Sequence, residues 1–144
     1  MTIDWNKAIV RRFIKEVLSG GNIDLIDELL APEYVNPSMG ITNRVGFKAV
    51  ISGLKSSAPE RDFEIADMVA EDDSVVFRGK MNFTLASGKK VSARVLTYYR
   101  LINGKIIEDE PISTPPLTEL LADMMTPKSG SYADLHKLRS SRFY

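Results

Sequence analysis

The chain reads as an α+β fold in which helices come first and pack on one face of an antiparallel sheet that follows them. Three observations predict this. The first 57 residues carry apolar positions at helical spacing, and after Pro59 the period drops to two. Asn103-Gly104 is the strongest hairpin signal in the chain, because both central positions of a type I′ turn need positive φ. A length of 144 residues provides one domain with a sizeable core.

Residues 4–19 form the first predicted helix, with Ile9, Val10, Phe13, Ile14, Val17 and Leu18 on one stripe. Asp4 is its expected N-cap, and "SGGN" stops it with glycines where a left-handed residue is needed. Residues 23–30 repeat the pattern briefly with Leu25, Ile26, Leu29 and Leu30; Pro32 ends that helix, and "EYVNP" is a short extended piece entering a loop. A third helix runs from about Asn43 to Ser57 and buries Phe47, Val50, Ile51 and Leu54. "DFEIADMVA", "SVVFRGKMNFTL" and "KVSARVLTYYRL" alternate as strands, with turns at Asp72-Asp73 and Ser87-Gly88. The last strand follows Asn103-Gly104, which completes a four-stranded meander and, with the helices, a single domain over residues 1–115. Residues 116–144 hold a short helix in "PPLTELLADMM" and a serine-rich basic tail. The tail reads as a mobile terminus, or as a lid or strap that buries Leu135, Leu138, Phe143 and Tyr144.

Composition excludes several functions. Lys+Arg and Asp+Glu balance at 19 each, so no global field draws the chain to nucleic acid or an anionic membrane. Without cysteine there are no disulfides, thiolate nucleophiles or cysteine-held metals. The single histidine, His136, lies in the tail and reads as a surface residue, and no carboxylate cluster has metal-ligand spacing. There is no phosphate loop or dinucleotide fingerprint, so no cofactor is expected. The opening "MTIDWNKAIV" has no signal-peptide pattern and no apolar run is long enough to span a bilayer, which predicts a cytoplasmic protein.

The final strand holds Glu108, Asp109 and Glu110 side by side, with Pro111 next. Burying a charge is costly, so the alternation of the strand decides what these acids are for. In one register Ile107 and Asp109 point inward and a single acid meets the core. In the other, Ile106, Glu108 and Glu110 do, giving a carboxylate pair. A third reading keeps all three acids in water as protection of a sheet edge, reinforced by Pro111.

"NKAIVRRFIKEVLSGGNIDLIDELLAPEYVNP", "VAEDDSVVFRGKMNF" and "YYRLINGKIIED" resemble the corresponding segments of SnoaL-like proteins, the polyketide-cyclase branch of the nuclear-transport-factor-2-like superfamily, over about residues 5–112. The resemblance implies a cone: helices packed into a strongly curved antiparallel sheet that encloses an apolar pocket, with Trp5 anchoring its base and homodimers formed through the outer face of the sheet. Phe77, Met81 and Phe83 alternate with Arg78, Lys80 and Asn82, so both faces of that strand have work.

The resemblance also nominates a site. Tyr34 and Asn36 stand where limonene-epoxide-hydrolase-like relatives carry a pair that positions water. Arg78 stands at those enzymes' arginine, but their two aspartates are replaced by Lys80 and Pro111, which argues against epoxide hydrolysis. In SnoaL-like cyclases the final strand carries "E-H-W-[DN]", so the usual histidine becomes Asp109. Aligned to the family, Asp109 points inward as the one pocket acid, with Arg78 or Lys80 as counter-charge. Such an acid works near neutral pH only if desolvation raises its pKa. Leu54, Val95, Thr97 and Tyr99, with Met39, are the expected ligand-binding wall. The implied activity is cofactor-independent acid/base cyclisation or isomerisation of a mostly apolar, polyketide-like carbonyl compound, with Asp109 and Arg78 as catalytic residues. A non-catalytic ligand-binding protein and a dimeric adaptor are the alternatives on the same fold.

Overall fold

A computed structural model describes residues 2–124. Helix α1 (Ile3–Arg12) continues without a break into a π-helical segment, Phe13–Ser19. Its N-cap is Thr2, whose hydroxyl accepts the Trp5 N–H at 3.1 Å, rather than the expected Asp4. Val10, Phe13, Ile14 and Val17 are fully buried, as their spacing predicts. Gly21 takes the left-handed conformation that ends the segment (φ 70°). Trp5 is not an anchor: it is 57% exposed, and its neighbour Asn6 turns inward instead to bond the Asp72 carbonyl.

The short second helix is a 3₁₀ turn, Ile23–Leu25, followed by α2 (Ile26–Leu29). The chain then extends as β1 (Leu30–Val35), two residues before the proline expected to end a helix. Helix α3 (Arg44–Ser57) is capped by Asn43, which accepts the Gly46 N–H at 3.0 Å. The remaining strands are β2 (Glu60–Glu71), β3 (Ser74–Thr84), β4 (Lys90–Ile102) and β5 (Lys105–Thr114), and α4 (Leu117–Met124) follows. Asn103 and Gly104 both have positive φ, as the type I′ reading requires.

The predicted four-strand antiparallel meander becomes a five-strand mixed sheet of order β1-β5-β4-β3-β2, curved but not closed. The added strand is β1, which pairs parallel to β5. Six residues with Pro32 among them gave no strand alternation to read, and a proline is tolerated there because β1 is an edge. Its pairing also means that β5 is an interior strand over Ile106–Glu108, so the edge-protection reading of its acids fails.

Register shifts interrupt three of the pairings, β1–β5, β2–β3 and β4–β5, and the last two re-aim side chains. Between β2 and β3, Ile65 faces Gly79 and Asp67 faces Arg78, leaving Ala66 as an extra residue. The inward positions of β2 therefore switch from Phe63 and Ile65 to Met68 and Ala70. Gly79 sits at this bend, and a Cβ there would strike the Glu64 carbonyl and stand 2.6 Å from the Phe77 ring. The Phe77 ring thus lies across a bare stretch of backbone.

Gly79→Ala should accordingly lower unfolding stability by at least about 2 kcal/mol, the scale of overpacking at a rigid contact. Denaturant unfolding would show this as a lower midpoint at unchanged slope; a midpoint equal to that of the parent chain would refute this account of the bend.

Candidate active site

The β4–β5 register shift places the acid. Leu101 faces Ile106 while Arg100 faces Glu108, so Ile107 is an extra residue in β5. Before it the even position Ile106 is inside, fully buried. After it the odd positions are, beginning with Asp109, which is 4% exposed. Neither regular alternation predicted this. Asp109 points inward and Glu108 and Glu110 outward, as the single-acid reading holds, but its buried companion is Ile106 in place of Ile107. Glu108 bonds Arg100 on the outer face, with Nη2 to Oε1 at 2.8 Å.

Inside the sheet Asp109 meets Tyr34, fully buried on β1. The Tyr34 hydroxyl donates to Asp109 Oδ2 at 2.6 Å, a short charge-assisted contact. Asn36 completes a chain of three. Its Oδ1 accepts the Met39 N–H at 3.2 Å, capping the 3₁₀ turn Pro37–Met39, and its backbone pairs with Ile41. The neighbouring Asn36 side chain lowers the Tyr34 pKa in part. Phe47 stacks edge-on to Tyr34, with ring centroids 5.3 Å apart, and also packs against Phe13. These rings separate the acid from solvent.

These neighbours determine the electrostatics. Burial pushes the Asp109 carboxyl up to about 7, against the smaller opposing effect of the Tyr34 bond. Tyr34 is raised, first by burial and then by the negative charge of Asp109. Tyr99, also buried, is raised by burial and by Asp109, while a hydrogen bond from Thr97 acts the other way. Asp109 is thus the one group here that titrates near neutrality.

Asp109 lines an apolar cavity of about 70 Å³. Its walls are Phe47, Ile51 and Leu54 of α3 on one side and Val95, Thr97 and Tyr99 of β4 on the other; Asn36, Met39 and Pro111 lie near the acid. Phe77, Met81 and Phe83 of β3 form the floor. Leu54, Asn36, Val95, Thr97 and Tyr99 are therefore where the sequence places them, and Tyr34 stands behind the acid. Arg78 and Lys80 are corrections. Phe77 and Met81 point in, so Arg78 and Lys80 point out. Arg78 makes a two-pronged bond to Asp67 at 2.9 and 3.0 Å on the outer face, its side chain 65% exposed. No lysine, arginine or histidine among the described residues lines the cavity, so Asp109 has no counter-charge. Strand parity, already visible in "FRGKMNF", was the signal that should have excluded both.

Leu18, Leu117 and Leu120 complete the wall. The latter two belong to α4, a contribution that no local pattern foretells. Among the described residues no set of three or more His, Cys, Asp or Glu side chains converges to hold a metal, and no helix is long and apolar enough to cross a membrane. His136 and the tail from residue 125 lie outside the described residues.

The SnoaL-like domain profile matches residues 10–109, more than half of the sequence. The chain belongs to the SnoaL-like domain family. Solved structures agree on the nuclear-transport-factor-2-like cone fold. A candidate polyketide cyclase from Acidithiobacillus ferrooxidans is 25% identical, with a TM-score of 0.68 over 78% of this chain and 91% of that one. A candidate SnoaL-like polyketide cyclase from Jannaschia sp. CCS1 is 18% identical, with a TM-score of 0.72 over 88% and 96%. TsrD from Streptomyces laurentii is 19% identical, with a TM-score of 0.72 over 84% and 97%. A comparison with curated proteins finds no match.

The raised Asp109 has a consequence for stability. Its folded pKa of about 7 exceeds the ordinary 3.8, so the folded state holds an extra proton between those values. Stability from this group is full below pH 3.8 and falls as pH rises to 7, by on the order of 4 kcal/mol at about 1.4 kcal/mol per pH unit. Unfolding free energies at pH 5 and pH 8 should therefore show Asp109→Asn gaining relative to the parent chain as pH rises. Tyr34→Phe should lose about 1–3 kcal/mol, more at pH 8 than at pH 5, because it strips the carboxylate of its donor. Parallel pH profiles for all three proteins would contradict the assignment.

Proposed function

We propose that this protein is a cofactor-independent acid/base enzyme that cyclises or isomerises a small, uncharged, mostly apolar carbonyl compound. The observation that carries this reading is one titratable carboxyl in an apolar cavity, held at one oxygen by Tyr34 and open to the cavity at the other. The candidate cyclases among its structural relatives support the same class.

The carboxylate form of Asp109 takes a proton from the carbon next to a substrate carbonyl. The C–H electron pair becomes an enolate. In cyclisation that carbon attacks a second carbonyl of the same molecule, forming a C–C bond and moving the π pair onto oxygen. Asp109, now protonated, returns the proton to that oxygen and is restored as carboxylate. In isomerisation the proton returns to a different carbon. A pKa near the working pH suits a group that must both take and give a proton. Tyr34 holds the carboxyl in place and steadies its charge. An apolar wall without cations favours neutral substrates over carboxylates and phosphates. Asp109 is the catalytic residue in this reading; Arg78 and Lys80 take no part.

Deuterium exchange at the α-carbon of small neutral ketones, followed by NMR in D₂O, tests the first step without knowledge of the natural substrate. The parent protein should accelerate exchange, with a rate that rises through pH 7 to a plateau, and Asp109→Asn should lose about 10²–10⁴-fold. Equal exchange for the two proteins at every pH would end the enzymatic reading and leave a ligand-binding protein.

The outer face of the sheet supports the expected homodimer. Leu96 and Ile112 are cross-strand neighbours there, and Ile112 is 72% exposed. We read this patch as covered by a second copy. Ile112→Glu should then lower the mass measured by sedimentation; a monomeric parent protein would dispose of the idea.

A further inference from the structure

The cavity is too small for the ligand its chemistry calls for. Its volume is about 70 Å³, whereas an apolar cavity that holds benzene has about 150 Å³. A dicarbonyl compound able to close a five- or six-membered ring by an aldol step is larger than benzene, so a wall must move. The walls differ in how they are held. The sheet wall is a continuous hydrogen-bonded ladder through β3, β4 and β5. Helix α3 is pinned by the buried Phe47 and Ile51, by the Ala86 N–H, which bonds the Ser57 carbonyl at its end, and by ion pairs from Arg44 and Lys48 to Asp27. The floor residue Phe77 is trapped against Gly79.

Helix α4 is a different kind of wall. Its described part packs against β5, whereas α3 meets β1, α2 and the 3₁₀ turn before α2. Helix α4 follows Pro115 and Pro116 and inserts Leu120, 2% exposed, with Leu117 beside it. The Glu119 and Leu120 N–H groups close its first turn on the Pro116 carbonyl. It meets the cavity through apolar side chains that occupy space a ligand would want.

We propose that Leu117 and Leu120 set the size limit of the cavity, and that α4 is the wall a ring-sized ligand displaces to reach Asp109. This rests on the cavity being the substrate site, as in the preceding reading, but does not require that Asp109 be catalytic. Ligand replaces leucine against the same apolar surface, so opening costs little net burial once the site is filled. Specificity would follow from what can displace two leucines: uncharged, apolar molecules of at least one ring. Small polar carbonyl compounds would enter the closed cavity without that displacement and gain no such selection.

Naphthalene is the probe, and backbone hydrogen exchange of the full chain is the readout. With naphthalene bound, amides of α4 should exchange at least tenfold faster while those of α3 and β4 do not change. Protection of α4 that stays level or rises with naphthalene bound, or opening located in α3, overturns the proposal. If the parent chain takes up no naphthalene at its solubility limit, Leu117→Ala and Leu120→Ala, each of which removes part of the plug, should bind it. Failure of both also overturns the proposal, and the half-buried Leu117 provides a variant whose folding is not at stake. Asp109→Asn separates the two ideas: opening of α4 in that variant supports the gate whether or not the parent protein exchanges α-protons.

Discussion

The hydrogen bond from the Tyr34 hydroxyl to Asp109 Oδ2 joins residues 75 positions apart in the chain and ties the first strand to the last. A carboxyl in an apolar cavity is tolerable only when protonated or when a donor faces it. Here both remedies operate: burial raises the pKa and one phenol supplies the donor. The rest of the interior is arranged around that compromise. Phe13 and Phe47 keep water from the pair, Asn36 is locked at both backbone groups beside Tyr34, and the β1–β5 pairing brings the two strands into reach.

The sheet achieves this with irregularities in place of regular geometry. Extra residues at Ala66 and Ile107 each reverse the parity of a strand. The first turns β2 around a glycine that leaves room for the Phe77 ring; the second exchanges an isoleucine for an aspartate on the inner face. Without the second, Ile106 and Asp109 could not both be buried, since three positions along a regular strand lead to opposite faces. The bend in β2 and the inversion that puts an acid in the cavity thus come from the same kind of irregularity at two separate places.

Much of the fold was legible in the sequence because its signals are local. The stripe Val10-Phe13-Ile14-Val17, the cap at Asn43 and the Asn103-Gly104 turn each depend on neighbours a few residues away. β1 was not legible as a strand, because its partner is a remote parallel strand and a proline interrupts its pattern. Asp109 was legible as the inward acid only by alignment to a family, since the bulge that turns it inward leaves no mark in "KIIEDE". Arg78 and Lys80 show the opposite error: the alternation placing them outside was readable, and the family correspondence overrode it. The contribution of α4 depends on where a chain end docks, which no periodicity encodes.

The parallel pairing of β1 with β5 also governs the order in which the molecule can come into being. During synthesis β1 emerges early and has no partner until some seventy residues later, when β5 is made. Until then the hairpins of β2, β3 and β4, whose contacts are short-range, can form around α1 and α3 with Tyr34 still in water. A chain halted before Asn103 lacks the acid and the strand that β1 pairs with. The Tyr34–Asp109 pair thus belongs to the completed domain alone.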